Sequence, residues 1–179
     1  MKKVAISGYF DPIHVGHLEY IELSKKLGDY LIVIVNNNKQ CRLKKGKPFM
    51  DEKDRLTIVS SLKWVDEVFL SIDDDKTVCK SLEAIKPDIF TNGGDRHNKE
   101  IPEASVCRKY NIDLLYLGAN QDAILEASKF GLDTSQAMNY SETQENVESA
   151  YRSAASAAKR QRSGVPIGFL RTERAASVQ

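Results

Sequence analysis

The segment MKKVAISGYFDPIHVGHLEYIELSKKLGDYLIVIVNNN, residues 1–38, decides the fold. Val4 to Ser7 is a short apolar strand signal that stops at Gly8. The loop GYFDPIH then precedes a stretch from Val15 to Leu27 in which Leu18, Ile21 and Leu27 recur at helical spacing. Tyr30 to Val35 is almost continuously apolar, as a strand buried on both faces of a parallel sheet must be, and it ends at Asn36, Asn37 and Asn38. Strand, loop, helix and strand in this order predict a right-handed βαβ unit.

The same alternation continues outward. Lys39 to Pro48 holds Lys39, Arg42, Lys44, Lys45 and Lys47 with one Gly and one Pro, which predicts an exposed basic loop. A helix is expected from about Asp51 through Leu56, Val59 and Leu62, with acidic residues in its first turn suited to the positive end of the helix dipole. VDEVFLS (65–71) reads as a third strand, Val78 to Ile85 as a helix, and Asp88 to Thr91 as a fourth strand running into NGGDR (92–96). Asn98 to Tyr110 is expected to be helical, and Ile112 to Leu117 to be a fifth strand that closes at Gly118. The fold class is therefore α/β, a doubly wound parallel sheet. Ligands of such sheets sit at the carboxyl ends of the strands, which gathers GYFDPIHVGH, NNNKQCRLKKGK and NGGDRHNKE on one rim.

Beyond Gly118 the texture changes. ANQDAILEASKFG (119–131) can form one amphipathic helix, whereas Ser141 to Gln161 is helix-compatible but weakly apolar, and residues 152–179 hold six Lys and Arg against the single acid Glu173. The α/β unit is accordingly placed at residues 1–131 and an accessory extension, packed or partly disordered, at 132–179.

Composition narrows the function classes. Over 179 residues, 41% are hydrophobic and 28% charged, which describes a globular chain with a real core. No run approaches the roughly 20 apolar residues of a bilayer helix, and a cytoplasmic location is expected. Twenty-six Lys and Arg against twenty-five Asp and Glu leave a net charge of +1, too little for a global field that would hold a nucleic acid or an acidic membrane. Any anion must be met locally. Cys41, Cys79 and Cys107 are widely spaced and odd in number, as reduced thiols are.

Local anion chemistry is concentrated in GYFDPIHVGH. Gly8 lets the chain turn away from the strand, Asp11 can fix the loop or help hold a metal-bound anion, and Pro12 restricts the backbone before His14. His14 and His17 are three apart, so on the first turn of a helix both imidazoles share one face near backbone N–H groups. Gly16 between them lets phosphate oxygens approach the backbone. Such a pair can coordinate a metal or donate to phosphates as charge grows during transfer. Zinc would want further ligands and only His97 remains, which favours the phosphate role and no protein-held metal. In NGGDR, Gly93 and Gly94 permit a close loop path beside a base or ribose, Asp95 can accept from a donor there, and Asn92 and Arg96 are further candidate contacts, Asn92 with the nucleotide.

HVGH after a first strand and GYFDPI resembles the HxGH signature of the cytidylyltransferase-like nucleotidyltransferases, a family with a Rossmann-like fold. LGDYLIVIVNNN, the lysine segment, MDEKDRLTIVSSLKWVDEVF and DIFTNGGDR are similar to successive blocks of the glycerol-3-phosphate cytidylyltransferases and of the adenylyltransferase domain of heptose-phosphate enzymes. The resemblance implies transfer of a nucleotidyl group from CTP or ATP to a small phosphorylated or phosphonate acceptor with release of pyrophosphate, magnesium arriving with the triphosphate. It also implies that His14 and His17 contact the triphosphate, with Gly8, Tyr9, Phe10 and Asp11 lining the site. Lys44 matches the lysine that meets the phosphates; Lys45 and Lys47 are neighbouring candidates, and Arg55 matches a basic position at the start of the following helix. CTP is the first choice of nucleotide; ATP, or a nucleotide-binding module without turnover, is the alternative.

One block departs from the pattern. Glycerol-phosphate enzymes carry an RTEGIST-like segment after the last strand, whereas LLYLG is followed here by ANQDAILEAS, with partial echoes only at Arg171 to Ser177 and Thr134 to Gln136. A homodimer is also expected: Leu62, Trp64, Val65, Val68 and Phe69 place apolar area around KWVDEV, a segment that forms part of the subunit contact in the relatives.

Overall fold

A computed structural model of the chain describes residues 1–93, 102–119 and 137–140. In chain order its elements are β1 (Lys3–Gly8), α1 (Val15–Lys25), β2 (Tyr30–Val35), α2 (Asn38–Lys45), α3 (Glu52–Ser60), β3 (Glu67–Leu70), α4 (Cys79–Ile85), β4 (Ile89–Gly93), α5 (Glu103–Tyr110), β5 (Asp113–Ala119) and β6 (Ala137–Tyr140). The strands form one parallel sheet in the order β3-β2-β1-β4-β5-β6. This is the expected Rossmann-like α/β architecture.

Alternation along the strands divides the core between the two faces of the sheet. Val4 and Ile6 of β1, Leu31 and Val33 of β2 and Leu115 of β5 pack with Ile21 and Leu23 of α1 and Val59 of α3. Ala5, Ile34, Phe90, Leu114 and Tyr116 point the other way, onto Leu82 of α4 and Ala104, Val106 and Cys107 of α5. β1 therefore leads into a helix on one face and β4 toward a helix on the other. The order reverses between these two neighbours, and above their carboxyl ends such sheets open a crevice.

The basic segment after β2 is not the expected loop. Asn38–Lys45 is a helix because Asn37 caps it: its side chain accepts from the Gln40 N–H at 2.9 Å, and the Gln40 side chain accepts from the Asn37 N–H at 3.1 Å. Gln40 and Cys41 are buried beneath it, and Gly46, at φ +82°, ends it. Lysines disguise this helix in the sequence, because only its two buried positions face the core.

Other boundaries move less. α5 is described from Glu103, after Pro102, while residues 98–101 lie outside the described residues, as do 120–136 and 141–179 with the helices and segment echoes expected there. The four-residue strand β6 pairs with β5, Tyr116 opposite Ala137 through Ala119 opposite Tyr140, so the sheet carries on past residue 131, where the sequence reading ends the α/β unit. Leu62, Trp64, Val65 and Val68 are half-buried against the core on the α1 side and Phe69 against the other, so much of the apolar area around KWVDEV is used inside the subunit. No helix among the described residues is long and apolar enough to cross a membrane.

Candidate active site

The loop after β1 is built around two residues that need each other. Phe10 is almost fully buried at φ +49°, and its ring lies so close to Gly8 that a β-carbon there would come within 2.6 Å of it. Glycine at position 8 thus admits the Phe10 ring. That ring in turn meets the His17 imidazole edge-on, with centroids 5.0 Å apart. The peptide between Asp11 and Pro12 is cis.

Both histidines stand at the start of α1, His14 as the N-cap and His17 in the first turn. Their rings lie 3.8 Å apart, centroid to centroid, and the His14 N–H donates to His17 Nδ1 at 3.2 Å. That bond assigns the tautomer: a neutral His17 accepts at Nδ1 and carries its proton on Nε2. Burial, followed by the charges of His14 and Lys44, lowers the His17 pKa to about 4. At neutral pH His17 is therefore a neutral donor through Nε2, while His14 is exposed beside it. Gly16 is also exposed, and a β-carbon on it would lie 3.3 Å from the His14 ring.

The three candidate lysines separate. Lys44, in the last turn of α2, places its ammonium 4.5 Å from the Tyr9 ring centroid and within electrostatic reach of His17. It faces the histidines. Lys45 is committed elsewhere: its ammonium pairs with Asp11 Oδ2 at 2.8 Å and also donates to the Asp11 carbonyl. Lys47 is exposed beyond Gly46, which terminates the helix, and no described contact brings it to the histidines.

Asp11 is a fastening rather than an open ligand. Its side chain is wholly buried, with Oδ1 accepting from the Met50 N–H at 2.7 Å and Oδ2 from the Phe49 N–H at 3.0 Å. Burial pushes this carboxyl up, but the Lys45 ammonium and the two N–H groups outweigh it and hold the group below its ordinary value. With both oxygens engaged, Asp11 pins the segment before α3 and the end of α2 to the histidine loop. Of the two roles the sequence left open for it, the contacts match loop fixing.

Arg55 also builds the rim from within. The sequence placed it among the nucleotide contacts, yet it is fully buried on α3. Its guanidinium donates to the carbonyls of Tyr9 (2.8 Å), Asn36 (2.5 Å) and Met50 (3.3 Å) and to Asn38 Oδ1 (3.0 Å). The planar fork reaches the β1 loop, the end of β2 and the start of α2 together, which an ammonium could not do. Asn38 is itself held by Asp51 and Glu52, the acids that open α3. Sequence reasoning missed this linkage and the pairing of Lys45 with Asp11, because they join segments 17 to 46 residues apart.

On the β4 side, α1 is tied to the strand by Tyr20, whose hydroxyl donates to the Thr91 carbonyl at 2.5 Å, and by Ser24, 2.9 Å from the Thr91 hydroxyl. A β-carbon on Gly93 would come within 2.8 Å of the Tyr20 ring, so glycine lets helix and strand approach. Asn92 lies buried between Thr91 and Gly93. Gly94, Asp95, Arg96 and His97 lie outside the described residues. Among the described residues no group of three or more His, Cys, Asp and Glu side chains could hold a metal ion.

The chain is similar to known proteins over much of its length. A family model described as cytidylyltransferase-like matches residues 5–152. An FAD synthase of Ferroglobus placidus is 42% identical over 130 residues, covering 72% of this chain and 84% of that protein. An FAD synthase of Thermoplasma acidophilum is 40% identical over 131 residues, with 73% and 84% covered. The bifunctional protein HldE of Helicobacter pylori strain Shi470 is 37% identical over 130 residues, which are 72% of this chain and 28% of that larger protein. The crystal structure of a lipopolysaccharide core biosynthesis protein from Thermoplasma volcanium GSS1 superposes with a TM-score of 0.56 at 36% identity, covering 65% of this chain and 95% of that one.

Proposed function

The chain belongs to the cytidylyltransferase-like family of nucleotidyltransferases, and we propose that it transfers the adenylyl group of ATP to a small phosphorylated acceptor. The observation that carries this reading is the meeting of His14, His17 and Lys44 on the rim above β1, two imidazoles and an ammonium drawn from two elements. FAD, the product named for the similar synthases, contains an adenylyl half joined through a pyrophosphate bridge, which favours ATP over the CTP suggested by the sequence blocks.

The chemistry follows from charge. An oxygen of the acceptor phosphate attacks the α-phosphorus of ATP in line; the new P–O bond forms as the bond to the bridging oxygen of the β-phosphate breaks, and pyrophosphate leaves with that electron pair. The acceptor phosphate is already ionised at neutral pH, so no general base is required. Nε2–H of His17 donates to an oxygen on which negative charge grows, and the nearby Lys44 neutralises the phosphates. Magnesium enters with the triphosphate and supplies further neutralisation. Asp11 is not its ligand in this reading, because its carboxylate is wholly buried and paired with the Lys45 ammonium.

The test is to incubate the full chain with magnesium and ATP or CTP, together with FMN, sugar phosphates and glycerol phosphate in separate arms, recording pyrophosphate and the mass of any coupled product. Pyrophosphate released with a product heavier by an adenylyl group is the expected result. Transfer from CTP alone would overturn the nucleotide assignment, and no pyrophosphate in any arm would overturn the activity.

A further inference from the structure

Three buried side-chain amides, Asn36, Gln40 and Asn92, lie near the carboxyl ends of the strands, and one of them differs from the other two. Gln40 is fully buried and fully used: its Nε2 donates to the carbonyls of Asp75 (2.8 Å) and Thr77 (2.6 Å), and its Oε1 accepts from Asn36 and Asn37. Asn92 is 4% exposed, and its Nδ2 has no hydrogen-bond partner. Among the described residues it is the one buried side-chain nitrogen or oxygen in that state. Buried donors are nearly always satisfied, so this exception calls for a group that the described residues do not supply.

Its place in the fold says which group. Ile6 of β1 pairs with Thr91 of β4, and Asn92 pairs with Tyr116 of β5, so Asn92 stands at the carboxyl end of the central strands, at the reversal of strand order. Thr91 faces α1, where Tyr20 and Ser24 hold it; Asn92, one residue on, faces the side of Phe90 and Tyr116. The imidazoles and Lys44 belong to the β1–α1 side of the crevice, and a triphosphate lying on them carries its nucleoside toward the neighbouring strand end.

We propose that Asn92 is a specificity-determining residue for the donor nucleotide, its Nδ2 donating to a ring nitrogen, carbonyl or hydroxyl oxygen of the bound nucleoside. This rests on the nucleotidyl-transfer reading above. It can be tested on the full chain by calorimetric titration with ATP and, separately, with inorganic tripolyphosphate, which reaches the imidazole and lysine groups but carries no nucleoside.

Asn92→Leu removes a donor that no described residue satisfies, and its ATP affinity falls about tenfold or more. Asn92→Asp, which sets an acceptor where the donor stood, weakens ATP in the same way and carries the comparison if the leucine variant folds poorly. Tripolyphosphate affinity is unchanged in both. Equal ATP affinity in parent and variants, or equal weakening of both ligands, overturns the assignment, as does a variant defect confined to the KM of the acceptor. A parent chain that binds ATP without transferring an adenylyl group refutes the proposed activity and leaves the role of Asn92 standing if the variants separate the two ligands. A parent that binds tripolyphosphate but no nucleoside triphosphate overturns the role of Asn92, and one that binds neither overturns both.

Discussion

The backbone N–H of His14 donates to Nδ1 of His17 across 3.2 Å, so the second histidine of HVGH is oriented and given its tautomer by the first. Sequence spacing alone puts the two rings on one face; this bond makes them unequal. His14 is exposed and His17 is half-buried against Phe10 with its Nε2–H as the remaining donor. His14→Ala and His17→Ala should each lower turnover about 10²-fold or more, the usual cost of removing one preorganised donor from a developing charge. Melting temperatures should change little for His14→Ala, which removes an exposed ring. Steady-state rates beside thermal melts check this, and near-parental turnover in either variant would remove that histidine from the chemistry.

The depressed pKa of His17 makes a second prediction with a definite sign. Burial is the larger cause, and the charges of His14 and Lys44 follow, giving about 4 in the folded chain against 6.5 for an unperturbed imidazole. An NMR titration should therefore show no His17 transition near pH 6.5. Because the unfolded chain takes up this proton first, the contribution to stability is complete above about pH 6.5 and is lost as pH falls toward 4. In Lys44→Ala the midpoint should rise but remain below 6.5, since burial persists. An unmoved midpoint would mean that the Lys44 ammonium does not act on the imidazole.

Lys44 and Lys45 are adjacent in sequence and should fail in different ways. Lys44→Ala should weaken ATP binding or turnover while leaving the melting temperature near that of the parent, because the side chain stands over Tyr9 at the rim. Asp11→Ala strips the acceptor from the N–H groups of Phe49 and Met50 and from Lys45, and should cost about 2 kcal/mol of stability. Lys45→Ala should cost less than Asp11→Ala, since its ammonium is partly exposed and solvent screens the pair. Denaturant melts with parallel ATP titrations separate the three; a larger stability loss for Lys44→Ala than for Asp11→Ala would reverse the assignment.

For Arg55 the expected damage is structural first. Arg55→Met fills the space but takes the guanidinium donor from the carbonyls of Tyr9, Asn36 and Met50, and should destabilise the chain by about 3 kcal/mol. Arg55→Lys should recover only part of this, because an ammonium cannot span the same acceptors. Urea denaturation of both variants checks it. Full stability together with lost ATP affinity would return Arg55 to the nucleotide contacts that the sequence resemblance implied.

What is legible in the sequence follows from how local each signal is. The continuous apolar run of β2 and the strand, loop and helix around HVGH identify themselves, because burial on both faces and helical spacing are written into neighbouring residues. α2 is hidden: five of its eight residues, Asn38, Lys39, Arg42, Lys44 and Lys45, are charged or strongly polar at exposed or half-exposed positions, and its start is marked only by the pair Asn37 and Gln40. The resemblance picks Lys44 from among its neighbours, but only that helix sets Lys45 on Asp11 and Lys44 on Tyr9. Arg55 shows the opposite limit, since the motif marks its position but not that its partners are backbone carbonyls, which no residue pattern records.

The strand β6 supplies the last prediction, on where the folded unit ends. A chain cut after Gly131 lacks Ala137–Tyr140 and bares the edge of β5, whose Leu115, Tyr116 and Leu117 belong to the two cores. An uncovered edge of this kind offers unpaired N–H and C=O groups beside apolar side chains and pairs readily with other copies. A chain cut after Arg152, where the match to the family model ends, keeps the strand. We therefore expect the product ending at 131 to melt lower and to self-associate in light scattering, and the product ending at 152 to melt as the parent does and to keep its ATP affinity. If the shorter product is monomeric with an unchanged melting temperature and binds ATP, β6 is dispensable and the unit closes at β5, near the boundary at Gly131 expected from the sequence.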